Sequence, residues 1–225
     1  KNLSAWLKNP HLGMISILTA GDKHFFKYCQ EVRRQTGISL NIWGTNPLET
    51  THFKTGFLGI PPSFENKNVY SSGWSNQLGY HKKRFKQFLL SPSYFNSSLF
   101  DTYSGEYWRS INKRTDYFHL YDYKAWNEEE VDSDLAQYNW EWARDTPTSW
   151  RIGDGTAAFY NYIYFTVAGF SEHDTFRSNQ IREGAISREE AENAPRYEGI
   201  QWYLDAVGID FKEAICVVND IPKLY

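Results

Sequence analysis

The early part of the chain predicts a strand, a helix and a second strand, and this order restricts the fold more than any other feature. The apolar run "MISILTAG" (Met14–Gly21) predicts a buried strand, and "ISLNIWG" (Ile38–Gly44) predicts another. The helix predicted between them has Asp22 as its N-cap and ends at Gly37. Because a helical crossover joins strands that run in the same direction, the sequence predicts an α/β fold with a parallel sheet.

Helices are predicted for most of the remaining chain. The segment "DGTAAFYNYIYFTVAGF" (Asp154–Phe170) is apolar on all sides and predicts a buried central helix in an otherwise helical last third. Ser187 and Glu190 have the spacing of a capping box. We expect one domain over residues 1–225, with residues 58–149 as an aromatic-rich insertion or lid. The other predicted elements are helices at Trp74–Leu90, Tyr94–Asn112 and Asn127–Tyr138, a strand at Tyr117–Tyr123, and a last helix capped by Asp210.

Composition and charge narrow the classes of partner. The formal charge of -3 gives no overall field for nucleic acid, and no apolar run approaches the roughly 20 residues that span a bilayer. Cys29 and Cys216 have no metal-ligand spacing, which favours buried reduced thiols and a cytoplasmic location. The basic cluster "HKKRFK" (His81–Lys86) is interpreted as a solvated helix face. Aromatic residues at 18% suit a large core, or platforms that stack on sugar rings.

A polar turn follows the second predicted strand. In "GTNPLE", Gly44, Thr45, Asn46 and Glu49 come where that strand ends, and ligands of parallel sheets bind at the carboxyl ends of the strands. Free backbone NH groups and polar side chains could face a phosphate there, and a carboxylate could hold a magnesium ion. The alternative is a polar turn in which Asn46 bonds its own backbone before Pro47.

Two further groups of polar residues contain arginine. Arg151 and Asp154 precede the apolar helix, whose N-terminus could bind an anionic group, although Asp154 could instead be the cap. Arg177 and Arg182 could form a bidentate grip on a carboxylate or phosphate. Surface ion pairs are the alternative for these two arginines. The acidic residues considered as their partners are Glu172, Asp174 and Glu183.

Three segments carry a family resemblance. The segment "RSNQIREGAISREEA" resembles the C-terminal signature of the N-acetyl sugar amidotransferase family, and "YLDAVGIDFKEAICVVNDIPKLY" is similar to its closing helices. The segment "LNIWGTNPLE" is similar to a "WG-E-N" type segment of that family and to the "GTxNxxE" segment of NAD synthetases. Both families share the Rossmann-like layered sheet of the ATP-pyrophosphatase (PP-loop) group. The resemblance covers roughly residues 11–57 and 150–225 and leaves the middle unmatched.

The resemblance implies an ATP- and Mg²⁺-dependent ligase of bacterial surface polysaccharide (lipopolysaccharide) biosynthesis. Such enzymes activate an amide oxygen with ATP and let ammonia, supplied by a partner glutaminase, displace AMP, which turns an acetamido group into an acetamidino group. Glu49 is then the candidate magnesium ligand and, with Asp154, a candidate catalytic residue. Nucleotide-binding candidates are Gly44, Thr45 and Asn46, and substrate-binding candidates are Arg151, Arg177 and Arg182.

The sequence also departs from this family. The pyrophosphate-binding loop "SerGlyGlyxAspSer" and the cysteine pairs that usually precede it are absent from these 225 residues. We expect that Lys1 marks the cut end of a longer polypeptide that carries the loop; the alternative is a branch that has lost ATP cleavage. Two other functions stay open: a glycan- or nucleotide-sugar-binding module, and a helical domain that docks a partner subunit through residues 81–86. A homo-oligomer is also left open.

Overall fold

Helices make up most of the chain in the computed structural model, which describes residues 1–18, 24–49, 51, 53–60, 74–111, 117–141, 156–191 and 197–225. A two-stranded parallel sheet accompanies the helices. Residues 1–45 and 52–124 form one compact unit, and residues 46–51 and 125–225 form a second. Among the described residues, no helix is both long and apolar enough to cross a membrane.

The first unit contains five α-helices, two strands and three 3-10 helices among its described residues. Its core is built on large apolar side chains such as Trp6, Met14 and Tyr94, which are each 0% exposed. Buried Asn2 donates from Nδ2 to the carbonyl of Ile17 at 2.9 Å, which satisfies a main-chain acceptor within the core. In chain order the elements are α1 (Asn2–Lys8), a 3-10 helix (Leu12–Ile17), α2 (Phe25–Thr36), β1 (Asn41–Trp43), α3 (Phe53–Gly56), α4 (Trp74–Leu90), a 3-10 helix (Pro92–Tyr94), α5 (Ser97–Ile111), β2 (Tyr117–His119) and a 3-10 helix (Leu120–Asp122).

The predicted parallel sheet is present, but with a different partner strand. β1 pairs in parallel with β2, in the register Asn41 to Tyr117 and Trp43 to His119. Helix α2 covers one face of the pair, because the ring of Phe26 stacks on Trp43 with centroids 5.3 Å apart. A Rossmann-like layered sheet is not observed among the described residues, where the sheet has these two strands alone.

The strand predicted at Met14–Gly21 is wrong, because Leu12–Ile17 forms a 3-10 helix. His11 starts this helix by accepting a hydrogen bond on Nδ1 from the NH of Gly13 at 3.1 Å. Met14 and its neighbours are buried, as predicted, but a short apolar run does not distinguish a buried strand from a buried helical turn. The segment therefore forms a 3-10 helix that the side chain of His11 caps. Asp22, the predicted N-cap of α2, lies among residues 19–23, outside the described residues, and α2 instead has His24 as its N-cap, without a side-chain capping bond.

Most predicted helices of the first unit are confirmed. Helix α2 ends at Gly37, which adopts φ +72° and donates from its NH to the carbonyl of Arg33 at 2.9 Å. Helix α4 has the predicted bounds. Helix α5 begins three residues later than predicted, because Asn96 accepts hydrogen bonds on Oδ1 from the NH groups of Ser98 and Leu99.

The second unit is organised around a buried helix. Its helix α7 (Thr156–Ala168) buries nine of its residues, which confirms the prediction of an apolar central helix. The chain terminus packs on it: the NH of Leu224 donates to the carbonyl of Val167 at 2.8 Å. In chain order the described elements are a 3-10 helix (Pro47–Glu49), α6 (Glu128–Ala136), α7, α8 (Glu172–Arg182), α9 (Tyr197–Ala206) and α10 (Phe211–Asn219).

The predicted caps of the second unit are present. Asp210 Oδ1 accepts from the NH of Glu213 at 2.7 Å at the start of α10, and Asn127 caps α6 in the same way. Ser187 and Glu190 also form both bonds of the predicted capping box. Residues 188–191 nevertheless form turns rather than a helix, so a capping box alone does not create a helix.

Two predictions about side chains differ from the structure. Cys216 is exposed and Cys29 half-buried, so the prediction of buried thiols is wrong for Cys216. The basic cluster is a solvated helix face only in part, because Arg84 is 3% exposed and donates to Ser16 Oγ at 2.8 Å.

The strand predicted at Tyr117–Tyr123 ends at His119, where a 3-10 turn begins.

Candidate functional site

The polar turn after β1 folds through a local side-chain bond. Asn46 Oδ1 accepts from the NH of Leu48 at 2.9 Å, and the carbonyl of Asn46 accepts from the NH of Glu49 at 3.1 Å. Such a bond from an asparagine to the backbone two residues on, ahead of a proline, is a common turn geometry. This confirms the interpretation that Asn46 bonds its own backbone. Gly44 and Thr45 belong to the first unit, whereas Asn46 and Glu49 belong to the second.

The amide nitrogen of the Asn46 side chain lacks a hydrogen-bond acceptor. Asn46 is 4% exposed, and its Nδ2 has no hydrogen-bond partner. A buried donor without an acceptor costs about 1–3 kcal/mol, so unpaired groups of this kind are uncommon in folded proteins and need an explanation. An oxygen acceptor on a bound molecule would satisfy this amide.

Helix α8 meets the turn through one side chain. Asn179 Nδ2 donates to the carbonyl of Leu48 at 2.6 Å, and the guanidinium of Arg182 donates to Asn179 Oδ1. Residues three apart lie on one face of a helix, so Asn179 can link Arg182 to the turn. The orientation of α8 is supported at its start, where Asp174 Oδ2 accepts from the NH of Ser171 at 2.5 Å. The structure therefore brings the predicted residue Arg182 into one network with the turn that contains Asn46 and Glu49.

Arg177 lies in a second network of the same helix. Its guanidinium donates to Glu128 Oε2 at 2.8 Å and to Gln180 Oε1 at 2.7 Å, and Gln180 Nε2 donates to the same carboxylate oxygen at 2.9 Å. The side chains of Arg177 and Glu128 are 12% and 17% exposed. Glu128, the first residue of α6, is a partner that sequence analysis did not consider. The arrangement links α8 to α6 with charge-assisted hydrogen bonds.

The other predicted site residues add little to the described geometry of the site. Glu49 is half-buried at the end of the turn. The described residues hold no group of three or more His, Cys, Asp or Glu that could bind a metal ion, so Glu49 is not part of such a group. Arg151 and Asp154 lie outside the described residues. Their predicted roles, like those of Gly44 and Thr45, stay predictions.

Sequence analysis missed several polar residues that shape this site. Glu128, Asn179 and Gln180 form the networks described above, and Asn161 accepts on Oδ1 from the NH of Glu172 at 3.0 Å at the start of α8. Asn161 is 2% exposed on a helix that is otherwise mostly apolar. A single amide in such a helix is a usable signal, because burying it without a hydrogen bond is costly.

The site combines hydrogen-bond donors with one carboxylate. The unpaired amide of Asn46 and the exposed guanidinium of Arg182 could donate to an anionic oxygen-rich molecule, and Glu49 could supply one oxygen ligand to a cation that such a molecule holds. This set of groups suits a phosphate-bearing ligand better than an apolar one.

Comparison of the chain with models of known families, with curated proteins and with solved structures finds no match.

Proposed function

We propose that the chain is part of an ATP-dependent amidotransferase that acts on an N-acetylated sugar or nucleotide sugar in bacterial surface polysaccharide synthesis. The reaction would consume ATP and ammonia and release AMP and pyrophosphate. The acetamido carbon exchanges its oxygen for nitrogen, and that oxygen leaves on the phosphate of AMP. A reaction of this type requires the charge on the phosphates to be neutralised and water to be excluded.

One observation carries the proposal. The segments "LNIWGTNPLE" and "RSNQIREGAISREEA", on which the family resemblance depends, contain the two residues of the bond between Asn179 and Leu48. Those residues are 131 positions apart, and a contact of such separation forms only when the tertiary structure places the two segments together. Their meeting supports a shared site, because residues of one site must converge whatever their distance along the chain.

The described residues suggest distinct roles. Asn46 Nδ2 would donate to a phosphate or ribose oxygen of the nucleotide, which would supply the acceptor that this buried amide lacks. Arg182 would contact a phosphate or a sugar carboxylate. Glu49 fits Mg²⁺, because this ion uses one or two protein carboxylates together with phosphate oxygens and waters, and the ion would neutralise phosphate charge. Asn179 holds Arg182 against the turn.

Arg177 is better suited to positioning than to direct contact. Its guanidinium already donates to Glu128 and Gln180, and it is mostly buried. It would hold α8, and therefore Asn179 and Arg182, in a fixed orientation relative to α6. Contact between Arg177 and the substrate stays a prediction.

The proposed reaction needs two further proteins or protein segments. Pyrophosphate must be held by a glycine- and serine-rich loop that these 225 residues lack, and ammonia must come from a glutaminase. A Rossmann-like layered sheet would be completed by strands added to the parallel pair β1 and β2. The enzyme is proposed to work in the cytoplasm, where ATP and sugar nucleotides are available.

Thermal unfolding with and without nucleotide tests the proposal. At a concentration about a hundredfold above its Kd, AMP with Mg²⁺ should raise Tm by about 5–10 °C, because a ligand that binds only the folded chain stabilises it. N46S should abolish most of that rise, since serine keeps an acceptor for the NH of Leu48 but removes the free amide. The matched control N127S alters the exposed asparagine that caps α6 through a similar backbone bond, and it should keep the full rise.

Two outcomes would contradict the proposal. If neither AMP nor ATP with Mg²⁺ changed the Tm, the chain would not contribute to a nucleotide site. If an N-acetylated sugar without any nucleotide gave the full rise in Tm, a sugar-binding module would be the better description.

A further inference from the structure

Helix α4 of the first unit has an exposed apolar face that no described residue covers. Leu78, Phe85 and Leu89 on this helix are 63%, 59% and 62% exposed. Their separations of seven and four residues place them in one stripe, because an α-helix turns 100° per residue. Large apolar side chains scattered singly on a surface need no explanation, whereas an aligned set can form an interaction surface when its bordering charges suit a partner.

Lysines border this stripe. Lys82 and Lys86 follow Leu78 along one side of the stripe, and Lys83 lies farther round the helix; all three are exposed. None has an ion-pair partner in the described part of the chain. The helix itself, "WSNQLGYHKKRFKQFLL", contains no Asp or Glu, so its positive charge is not compensated locally.

The opposite side of α4 is fixed to the protein. Arg84 and Phe88 are 3% and 6% exposed, and Phe88 packs edge-on against buried Tyr94 with ring centroids 5.9 Å apart. Because these two residues anchor the inner face, the stripe and its lysines cannot turn inward without loss of that packing. The orientation of the exposed face is therefore set by the core.

We propose that this face of α4 docks the protein on the surface of an anionic phospholipid membrane. A helix with an apolar face bordered by lysines lies in a lipid interface, with its apolar side chains among the acyl chains and its ammonium groups near the phosphates. The three uncompensated lysines favour a negatively charged occupant over a neutral or positive one. This docking is independent of the proposed nucleotide site, which lies in the second unit.

Two other occupants fit the observations less well. A second copy of the chain would place the same lysines against each other across a twofold axis, and like charges there oppose association. An acidic protein would satisfy the charge. However, aligned side chains about 60% exposed on one helix form a ridge, and a ridge of this kind enters a deformable lipid interface without a complementary groove.

Vesicle binding tests the proposal on the whole chain, without nucleotide. Vesicles of about three parts phosphatidylcholine to one part phosphatidylglycerol should cosediment with the protein, whereas pure phosphatidylcholine vesicles should bind it much more weakly. Raising the salt from about 0.05 M to about 0.5 M should release the protein, because salt screens its attraction to the lipid headgroups.

Variants with matched controls locate the binding face. K82E/K83E/K86E should lower the partition coefficient by more than about a hundredfold, since each lysine near an anionic surface contributes about fivefold and each new glutamate is repelled. F85S/L89S should lower it at least about tenfold by removing two inserted apolar side chains. The controls are K27E/K212E/K223E, with the same change of charge elsewhere, and F25S/V32S, which alters side chains that are 55% and 56% exposed on α2.

The expected result is that both controls bind within about twofold of the unaltered protein. All variants should keep their helical circular dichroism, because the altered side chains are exposed. Three outcomes would overturn the proposal: no binding to the anionic vesicles at low salt, equal losses in the variants and their controls, or a dimer that K82E/K83E/K86E dissociates.

Discussion

At Asn46, the two polar atoms of one side chain are predictable to different degrees. The bond from the NH of Leu48 to Oδ1 connects residues two apart, so the sequence "NPL" is enough to expect it. The unpaired Nδ2 depends on burial, which residues distant in the sequence provide. Sequence reasoning found the right residue, but the property that makes it a binding candidate comes from tertiary packing.

Glu49 provides a prediction about activity. In the intact enzyme, together with the polypeptide that supplies the pyrophosphate loop, E49Q should lower Mg²⁺-dependent AMP formation at least about a hundredfold, because the neutral amide binds Mg²⁺ poorly. Release of AMP from ATP is the measurement. The control E183Q alters an exposed residue in the turn after α8 and should keep full activity. Wild-type turnover by E49Q would show that Glu49 is not the magnesium ligand.

Tyr94 provides a prediction about alkaline stability. It is 0% exposed, burial raises the pKa of its hydroxyl above the ordinary value, and the hydroxyl has no hydrogen-bond partner. The folded state therefore keeps the proton at a pH at which the unfolded chain loses it. The stability that this provides is complete below the unfolded pKa of about 10 and is lost as the pH rises above that value, by up to about 1.4 kcal/mol per pH unit.

Y94F should remove this loss. The free energy of unfolding of the variant, measured in urea at several pH values, should equal or exceed that of the unaltered protein at neutral pH and fall less steeply above a pH of about 10. Y28F, at a site 60% exposed, should show the same slope as the unaltered protein. A parallel decline in Y94F and the unaltered protein would contradict the argument.

At the scale of elements, helices were predicted better than strands. Helix α4 has its predicted bounds and α7 is buried as predicted, because cap residues and helical spacing are local signals. The run that begins at Met14 is equally apolar in a strand or a 3-10 helix, so its apolar pattern does not decide between them. The partner of β1 was likewise not predictable, since β2 comes more than 70 residues later.

The link between α6 and α8 gives a prediction at this scale. Removing one partner of the Arg177–Glu128 pair leaves the other charge mostly buried, so R177M or E128Q should each destabilise the protein by about 2–4 kcal/mol. The double variant should cost less than the sum of the two, because both single variants lose the same ion pair. Urea unfolding provides the measurement.

A second ion pair serves as the control for these three variants. Arg34 and Glu31 on α2 are 2.6 Å apart, but their side chains are 73% and 44% exposed. Solvent screens such pairs, so R34M should leave the unfolding midpoint unchanged. Equal effects at the two pairs would show that burial does not distinguish them.

At the scale of the whole molecule, the two units should respond differently to a nucleotide. The proposed site involves residues 46–51 and α8, both in the second unit, whereas the 3-10 helix Leu12–Ile17 belongs to the first. With AMP and Mg²⁺, amide hydrogen exchange should slow in the turn and in α8, because ligand binding suppresses local opening. Exchange in the 3-10 helix should not change. Protection confined to the first unit would place the ligand elsewhere.

Local chemistry along the chain specifies the helices, their caps and the polar turn, because these depend on residues one to four positions apart. The packing of distant segments specifies the rest: the pairing of β1 with β2, the contact between Asn179 and Leu48, and the partner of Arg177. Each of these joins residues tens of positions apart. Their meeting depends on how whole elements bury their apolar faces, and no short pattern in the sequence encodes that arrangement.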